Sequence, residues 1–394
     1  MNRFLRILSV SSALAAMGAL SSCTMIEDDM KDCPAGLYVR FVYDYNTMRA
    51  DMFKDHVGHV QLHVYDESGN RVATRSVSNS DTDAPLSRYG YAVHFMPGEL
   101  PAGRYRLQAV AMQRDWNEAL EDDGAKYRCS DITHSESLTI SLDHSSVPDA
   151  ATGHHPVEHQ NVPLDTLWHT LKVSAYEPCD GKAVPDMHVT KAPYSIYPIE
   201  DQYVTVVDDR ATYATVSLIR DTKHLNITLR QIDFPDGMDH RDYDVMITDD
   251  NATVAHDNSV VTGSPLLYTP YASWTTTFSQ EGITRDSRET AEIQRTAHYN
   301  VMFNRMMIDT SDVDKGATLK IINRRSQKTV AVINLPYILA QGRTAYEYIY
   351  PPQEYLDREH DYHLDFLLKG DSWAYCDIVI NVLSWSKRVQ NHEF

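Results

Sequence analysis

The sequence is short of cations, of cysteine and of long apolar runs. Lys and Arg number 36 against 55 Asp and Glu, a formal charge of −19 over 394 residues. A surface of that sign repels phosphate backbones, which excludes general nucleic-acid binding. The five cysteines are widely spaced with no Cys-x-x-Cys pair, so a zinc ribbon or thioredoxin-type motif is unsupported. Beyond the first 22 residues no stretch approaches 18 consecutive apolar residues, so the body of the chain is read as soluble. There is no GxSxG elbow, no GxGxxG, no P-loop, no HExxH and no EF-hand loop. Helical periodicity is also scarce, with only weak patterns near 112–122 and 284–297. Hydrophobic content of 42% and charged content of 23% are those of a folded protein, not a disordered one.

What is present begins at the N-terminus. Arg3 and Arg6 precede an uncharged apolar and small-residue run from Ile7 to Leu20. That run is short for a bilayer span but suits the h-region of a signal peptide. It closes on Leu20, Ser21, Ser22 and Cys23, the pattern of a bacterial lipobox. Cleavage is expected between Ser22 and Cys23, with the Cys23 thiol carrying diacylglycerol. Loss of Arg3 and Arg6 takes the formal charge from −19 to −21. Two or three acyl chains suffice for stable attachment without a transmembrane helix. The tether, 23–32, carries Glu27, Asp28 and Asp29, an acidic cluster that resembles the surface-export signal of Bacteroidota lipoproteins. Cys33, Cys129, Cys179 and Cys376 remain, either as two disulfides in one of three connectivities or as buried thiols.

The rest alternates with a period of two. Leu37, Val39, Phe41 and Tyr43 share one face of a first strand. Val60, Leu62 and Val64 follow, then a DESGN turn and a return strand. Tyr89, Tyr91, Val93 and Phe95 alternate next, then Tyr105, Leu107 and Ala109, then Leu138, Ile140 and Leu142. The 24 tyrosines fit pleated, half-buried surfaces. Residues 143–165 lose the alternation and read as a linker. Beyond it, ATYATVSLIR and LNITLRQI read as a hairpin around DTKH, and DIVINVLSW as a central strand buried on both faces. A chain of this length holds more than one ordinary domain. The expected organisation is therefore all-β, with a cleaved signal at 1–22, a lipidated tether at 23–32, and two tandem β-sandwich domains at 33–165 and 166–394.

Three groups of residues invite chemical readings. His154, His155, Glu158 and His159 are of metal-ligand type, but they sit on a Pro-containing segment with no rigid element to orient them, so a polar loop is expected and no metal. The Asp-rich stretch 249–251 is read as a solvated turn. Asp357, Glu359 and Asp361 could be mistaken for a glycosidase pair. Such a pair needs two carboxylates held across a cleft, and a charged strand entry explains them better. Trp116, Trp168, Trp274, Trp373 and Trp385 are read mostly as core or interface anchors. No catalytic residue, cofactor or enzyme activity is expected.

Several motifs together resemble the fimbrial anchor lipoproteins of Bacteroidales, the minor-fimbria anchor type of the fimbrillin superfamily. They are Cys33, Pro34 and Gly36 at the start; Arg220, Thr222 and Leu225 in mid-chain; and Trp373, Ile378, Ile380, Asn381 and Trp385 at the end. The resemblance implies transthyretin-like sandwiches, an outer-membrane, cell-surface location and a structural role. It implies fimbrillin shaft subunits as partners, joined by strand complementation, in which a strand of one subunit completes an open sheet of its neighbour. Shaft subunits of that superfamily lose an N-terminal strand to an arginine-specific protease. An anchor is expected to retain it, here 36–45 with Leu37, Val39, Phe41 and Tyr43 filling the groove, despite Arg40 and Arg49 nearby. The other class of function weighed is a surface lipoprotein that binds glycans or host proteins, as a tip adhesin would.

Overall fold

The computed structural model describes residues 35–80, 82–158, 162–176, 203–280, 292–309, 316–346, 350–382 and 385–391. Expectations for the signal, Cys23, the tether, Cys33 and Cys179 lie outside them. The described chain is mainly β, with little helix. In chain order the strands are β1 Gly36–Val42, β2 His59–Tyr65, β3 Arg71–Ser78, β4 Val93–Phe95, β5 Gly103–Met112, β6 Tyr127–Cys129, β7 Thr139–Leu142 and β8 His155–Pro156. They continue as β9 Leu167–Tyr176, β10 Tyr203–Val206, β11 Ala211–Arg220, β12 Lys223–Gln231, β13 Tyr243–Asp249, β14 Thr253–Ala255, β15 Val260–Val261 and β16 Leu266–Tyr268. The last are β17 Ala272–Gln280, β18 Glu292–Phe303, β19 Thr318–Asn323, β20 Lys328–Asn334, β21 Asp361–Lys369, β22 Ser372–Val382 and β23 Trp385–Asn391.

One eight-stranded sheet runs β3-β2-β5-β9-β11-β1-β4, with β10 also paired to β5. Strand β5 changes neighbour along its length: Gly103–Arg106 pair with β10 and Val110–Met112 with β9. A long strand shared in this way lets a sheet bend around its own core. That core gathers Leu62 and Val64 from β2, Leu107 and Ala109 from β5, and Ala214, Val216 and Leu218 from β11. A second core lies between a six-stranded sheet, β17-β18-β12-β21-β22-β23, and a five-stranded sheet, β20-β19-β13-β16-β8. A four-stranded sheet, β15-β14-β7-β6, closes one side of it with Ile140 and Leu142.

Three expectations need correction. The division at 165/166 is not the division of the cores. Trp168, Val173 and Val204 lie in the first core, while Trp116, Tyr127, Leu138 and Leu164 lie in the second. The cause is long-range pairing: β1 pairs in parallel with β11, so the first sheet is completed only by strands that follow residue 166. The expected hairpin is absent as well. β11 and β12 belong to different sheets, and the Asp-Thr between them carries none of the Gly, Pro or Asn that a tight reversal uses. Finally, of the helical pattern near 284–297, the residues from Glu292 onward are strand, while 284–291 lie outside the described residues. The pattern near 112–122 does contain a helix, α1, Trp116–Glu121, capped by the Asp115 carboxylate. A second helix used below, α2, is Pro352–Arg358.

Candidate functional site

Two features stand out among the described residues: a first strand paired on both sides and buried on one face, and a buried polar junction between the cores. Strand β1 pairs with β11 along all seven residues, from Gly36 opposite Ala211 to Val42 opposite Ser217. On its other side β4 covers Leu37 to Val39 only. Alternation sends Leu37, Val39 and Phe41 into the first core, where all three are buried. Burying side chains of this size is worth roughly 1.5–3 kcal/mol each, as an upper bound. On the opposite face the Tyr38 ring stacks between His94, at 4.0 Å, and Tyr213, at 5.2 Å. Gly36 has φ +124°, and a Cβ there would sit 2.2 Å from the Phe95 carbonyl oxygen. Only glycine lets β1 begin against β4.

Tyr43 follows the strand and links the two features. It is fully buried, edge-on to Trp168 at 5.8 Å, with its hydroxyl 3.4 Å from His360 Nδ1. Burial pushes its phenol up to about 12 and holds the His360 imidazole well below its usual range. Neighbouring Tyr45 lies under the Arg358 guanidinium at 4.0 Å.

The junction centres on Asp221, Thr222 and Lys223, all fully buried. Buried polar groups need partners, and here the partners come from both cores. The Asp221 carboxylate meets His169 Nδ1 at 3.1 Å. The Thr222 hydroxyl accepts from Leu167 N at 3.0 Å and donates to Asp165 O at 3.1 Å. The Tyr127 hydroxyl, 3.2 Å from Thr222 Oγ1, donates to Asn304 Oδ1 at 2.6 Å. Lys223 Nζ donates to the carbonyls of Asp357 and Glu359, each at 2.9 Å. Burial lowers its pKa to about 7, against the pull of Asp357 and Asp221.

The acidic segment at 357–361 therefore has a structural place. Asp357, at the end of α2, takes two hydrogen bonds from Arg305, at 2.7 and 2.8 Å, in a fully buried fork. Glu359 accepts from the Tyr346 hydroxyl at 2.7 Å and the Thr47 hydroxyl at 3.4 Å. Asp361 opens β21 beside His224 at 2.8 Å. Asp357 and Glu359 are buried in the junction and do not face one another across a cleft.

The other singled-out residues fall apart spatially. His154 Nδ1 lies 2.7 Å from Thr152 O, and His155 Nδ1 lies 2.8 Å from Ser145 O; His159 lies outside the described residues. Among the described residues no three His, Cys, Asp or Glu side chains are grouped to hold a metal. Asp250 is used up in capping the backbone N–H groups of Gly263 and Ser264. Cys129 and Cys376 are free thiols, and burial raises the pKa of both to about 12. Trp116 and Trp168 are buried, whereas Trp274 is exposed. The sequence reading missed the junction set of Tyr127, Asn304 and Arg305 with Asp221 to Lys223. A polar break with no turn former between two strong strands was its available signal.

Comparison with known proteins connects this architecture to relatives. A curated Porphyromonas gingivalis protein, the minor fimbrium anchoring subunit Mfa2, is 25% identical over 236 residues, covering 54% of this chain and 72% of its own. Among solved structures, a candidate adhesin of Bacteroides thetaiotaomicron superposes with a TM-score of 0.63 at 21% identity, covering 90% of this chain and 98% of its own. A candidate adhesin of Bacteroides ovatus gives 0.60 at 21% identity, covering 91% and 96%. Both show a shared fold. The profile of the fimbrillin-A associated anchor proteins Mfa1 and Mfa2 matches residues 30–391, and the chain belongs to that family.

Proposed function

We propose that this chain is an outer-membrane lipoprotein that anchors a fimbria, held by acyl chains on Cys23 and joined to fimbrillin subunits by strand complementation. The observation that carries the reading is β1: it is continuous with the N-terminal segment and buried between β4 and β11. A filled groove cannot accept a neighbour's strand. A shaft subunit must have an open one, whereas an anchor need only present an edge. The two edges of the six-stranded sheet are β17 and β23, and their backbones are the surfaces on which a subunit strand would add.

The junction supports the same role. A load carried from lipid to fimbria passes from β1 through the lobe junction, and that junction holds two cores together with directional, buried hydrogen bonds and a buried ion pair. Breaking such a pair is costly because a lone buried charge remains. In cells, Cys23→Ala removes the acylation site. The expected result is that this protein and the fimbriae appear in the medium. Fimbriae that stay on cells in normal number would refute lipid anchoring through this chain.

A further inference from the structure

The sequence groups His154, His155, Glu158 and His159 along one stretch of chain. The fold pairs His155 instead with a histidine from outside that stretch. His144 follows β7 and His155 opens β8, and their ring centroids lie 5.4 Å apart with planes 67° from parallel. Strand β7 belongs to the four-stranded sheet and β8 is an edge of the five-stranded one, so the pair spans two sheets. Backbone contacts hold both segments. His144 forms a bridge with Val157, Ser145 N donates to Pro156 O at 2.8 Å, and His155 N donates to Pro265 O at 2.8 Å. This pairing supplies the frame that the stretch lacks when read along the chain alone.

The rings are fixed as well, each in one tautomer. His144 Nδ1 lies 2.9 Å from Leu142 O, and His155 Nδ1 lies 2.8 Å from Ser145 O, the carbonyl next to His144. A carbonyl oxygen only accepts, so each Nδ1 carries the hydrogen and each Nε2 of a neutral ring keeps its lone pair. Among the described residues neither Nε2 is hydrogen-bonded. A histidine that ligates a metal through one nitrogen commonly donates the other N–H to a backbone carbonyl in this way. Two imidazoles bound through Nε2 to one tetrahedral ion at about 2.0–2.1 Å put their centroids about 5 Å apart. The spacing of His144 and His155 fits that arrangement.

We propose that His144 and His155 together bind one divalent late-transition cation, of the zinc class, which clips the four-stranded sheet to the five-stranded one. Both residues are half-buried, which leaves room for water to complete the coordination. Imidazole nitrogens favour zinc, copper and nickel over magnesium and calcium, which take oxygen ligands. The formal charge of −19 raises the local concentration of cations. With two protein ligands the site is weaker than a closed structural zinc site, which has four. It stands apart from the anchoring role, since it uses neither β1 nor the lipidated end.

Isothermal titration of the full chain with ZnCl2, beside MgCl2, tests the site. Zinc should bind and magnesium should not. His144→Gln and His155→Gln should each weaken zinc binding at least about tenfold, the scale found even for losing a partner of a ligating histidine. His154→Gln should leave the affinity unchanged: its Nδ1 lies 2.7 Å from Thr152 O, but its ring does not touch the pair. Anomalous diffraction at the zinc edge from zinc-soaked crystals of the unsubstituted chain locates the ion without any variant, and should place it between the two imidazoles. No zinc binding, equal binding of magnesium, an ion seated only elsewhere, an unchanged affinity in His144→Gln or His155→Gln, or an equal loss in His154→Gln would each overturn the proposal.

Discussion

Gly36 and Lys223 show how single residues hold the two features together. At Gly36 the backbone is left-handed and the Phe95 carbonyl occupies the space of a Cβ. Gly36→Ala should therefore cost about 1–3 kcal/mol, read as a lower urea midpoint; an unchanged midpoint would mean that β1 and β4 can shift apart freely. At Lys223 the folded pKa is about 7, depressed by burial from 10.5. Between those values the unfolded chain holds the extra proton, so this group makes stability rise with pH across that window. Below pH 7 both states are protonated and its contribution is constant. Lys223→Met should flatten the rise in urea midpoint between about pH 7 and 9. A slope that survives the substitution would assign it to another group. The sequence alone did not reveal either role. Gly36 was visible as part of a motif, but its reason, the Phe95 carbonyl, is a contact made 59 residues along the chain.

Among the elements, β1 is the one whose loss has the sharpest consequence. Removing residues 1–45 leaves β11 and β4 without the strand that joins them and opens an apolar groove. The truncated chain is expected to lose cooperative melting or aggregate. A synthetic peptide of residues 36–45 should restore the melt, because the groove reads backbone hydrogen bonds and alternate side chains alike. A truncated chain that melts like the parent would show that β1 is dispensable. Strand existence was well encoded. Leu37, Val39 and Phe41 point inward as their alternation requires, and the DESGN turn does return β2 to β3. Strand partnership was not. The turn between β2 and β3 is a local signal, whereas the pairing of β1 with β11 joins residues far apart in sequence and leaves no periodic trace. The DTK break misled for a related reason. It is polar like a turn, yet its residues are buried and bonded across two cores.

At the scale of the whole molecule, the family assignment and the mainly β architecture agree, and the proposed anchoring role gives the order of parts from membrane outward: lipid on Cys23, tether, β1 in its groove, the buried junction, and the edges of the six-stranded sheet. The account turns on the first strand remaining covalently attached to the lipidated residue. Arg49 is exposed, with φ 53°, on the loop that follows β1, so a cut there would separate the anchor from both cores. The intact mass and N-terminal sequence of the protein purified from cell envelopes test this directly. The account predicts a chain that begins at an acylated Cys23 and keeps residues 36–45. A mature chain that begins after Arg40 or Arg49 would contradict it, and would make this protein a shaft or tip subunit with an opened groove.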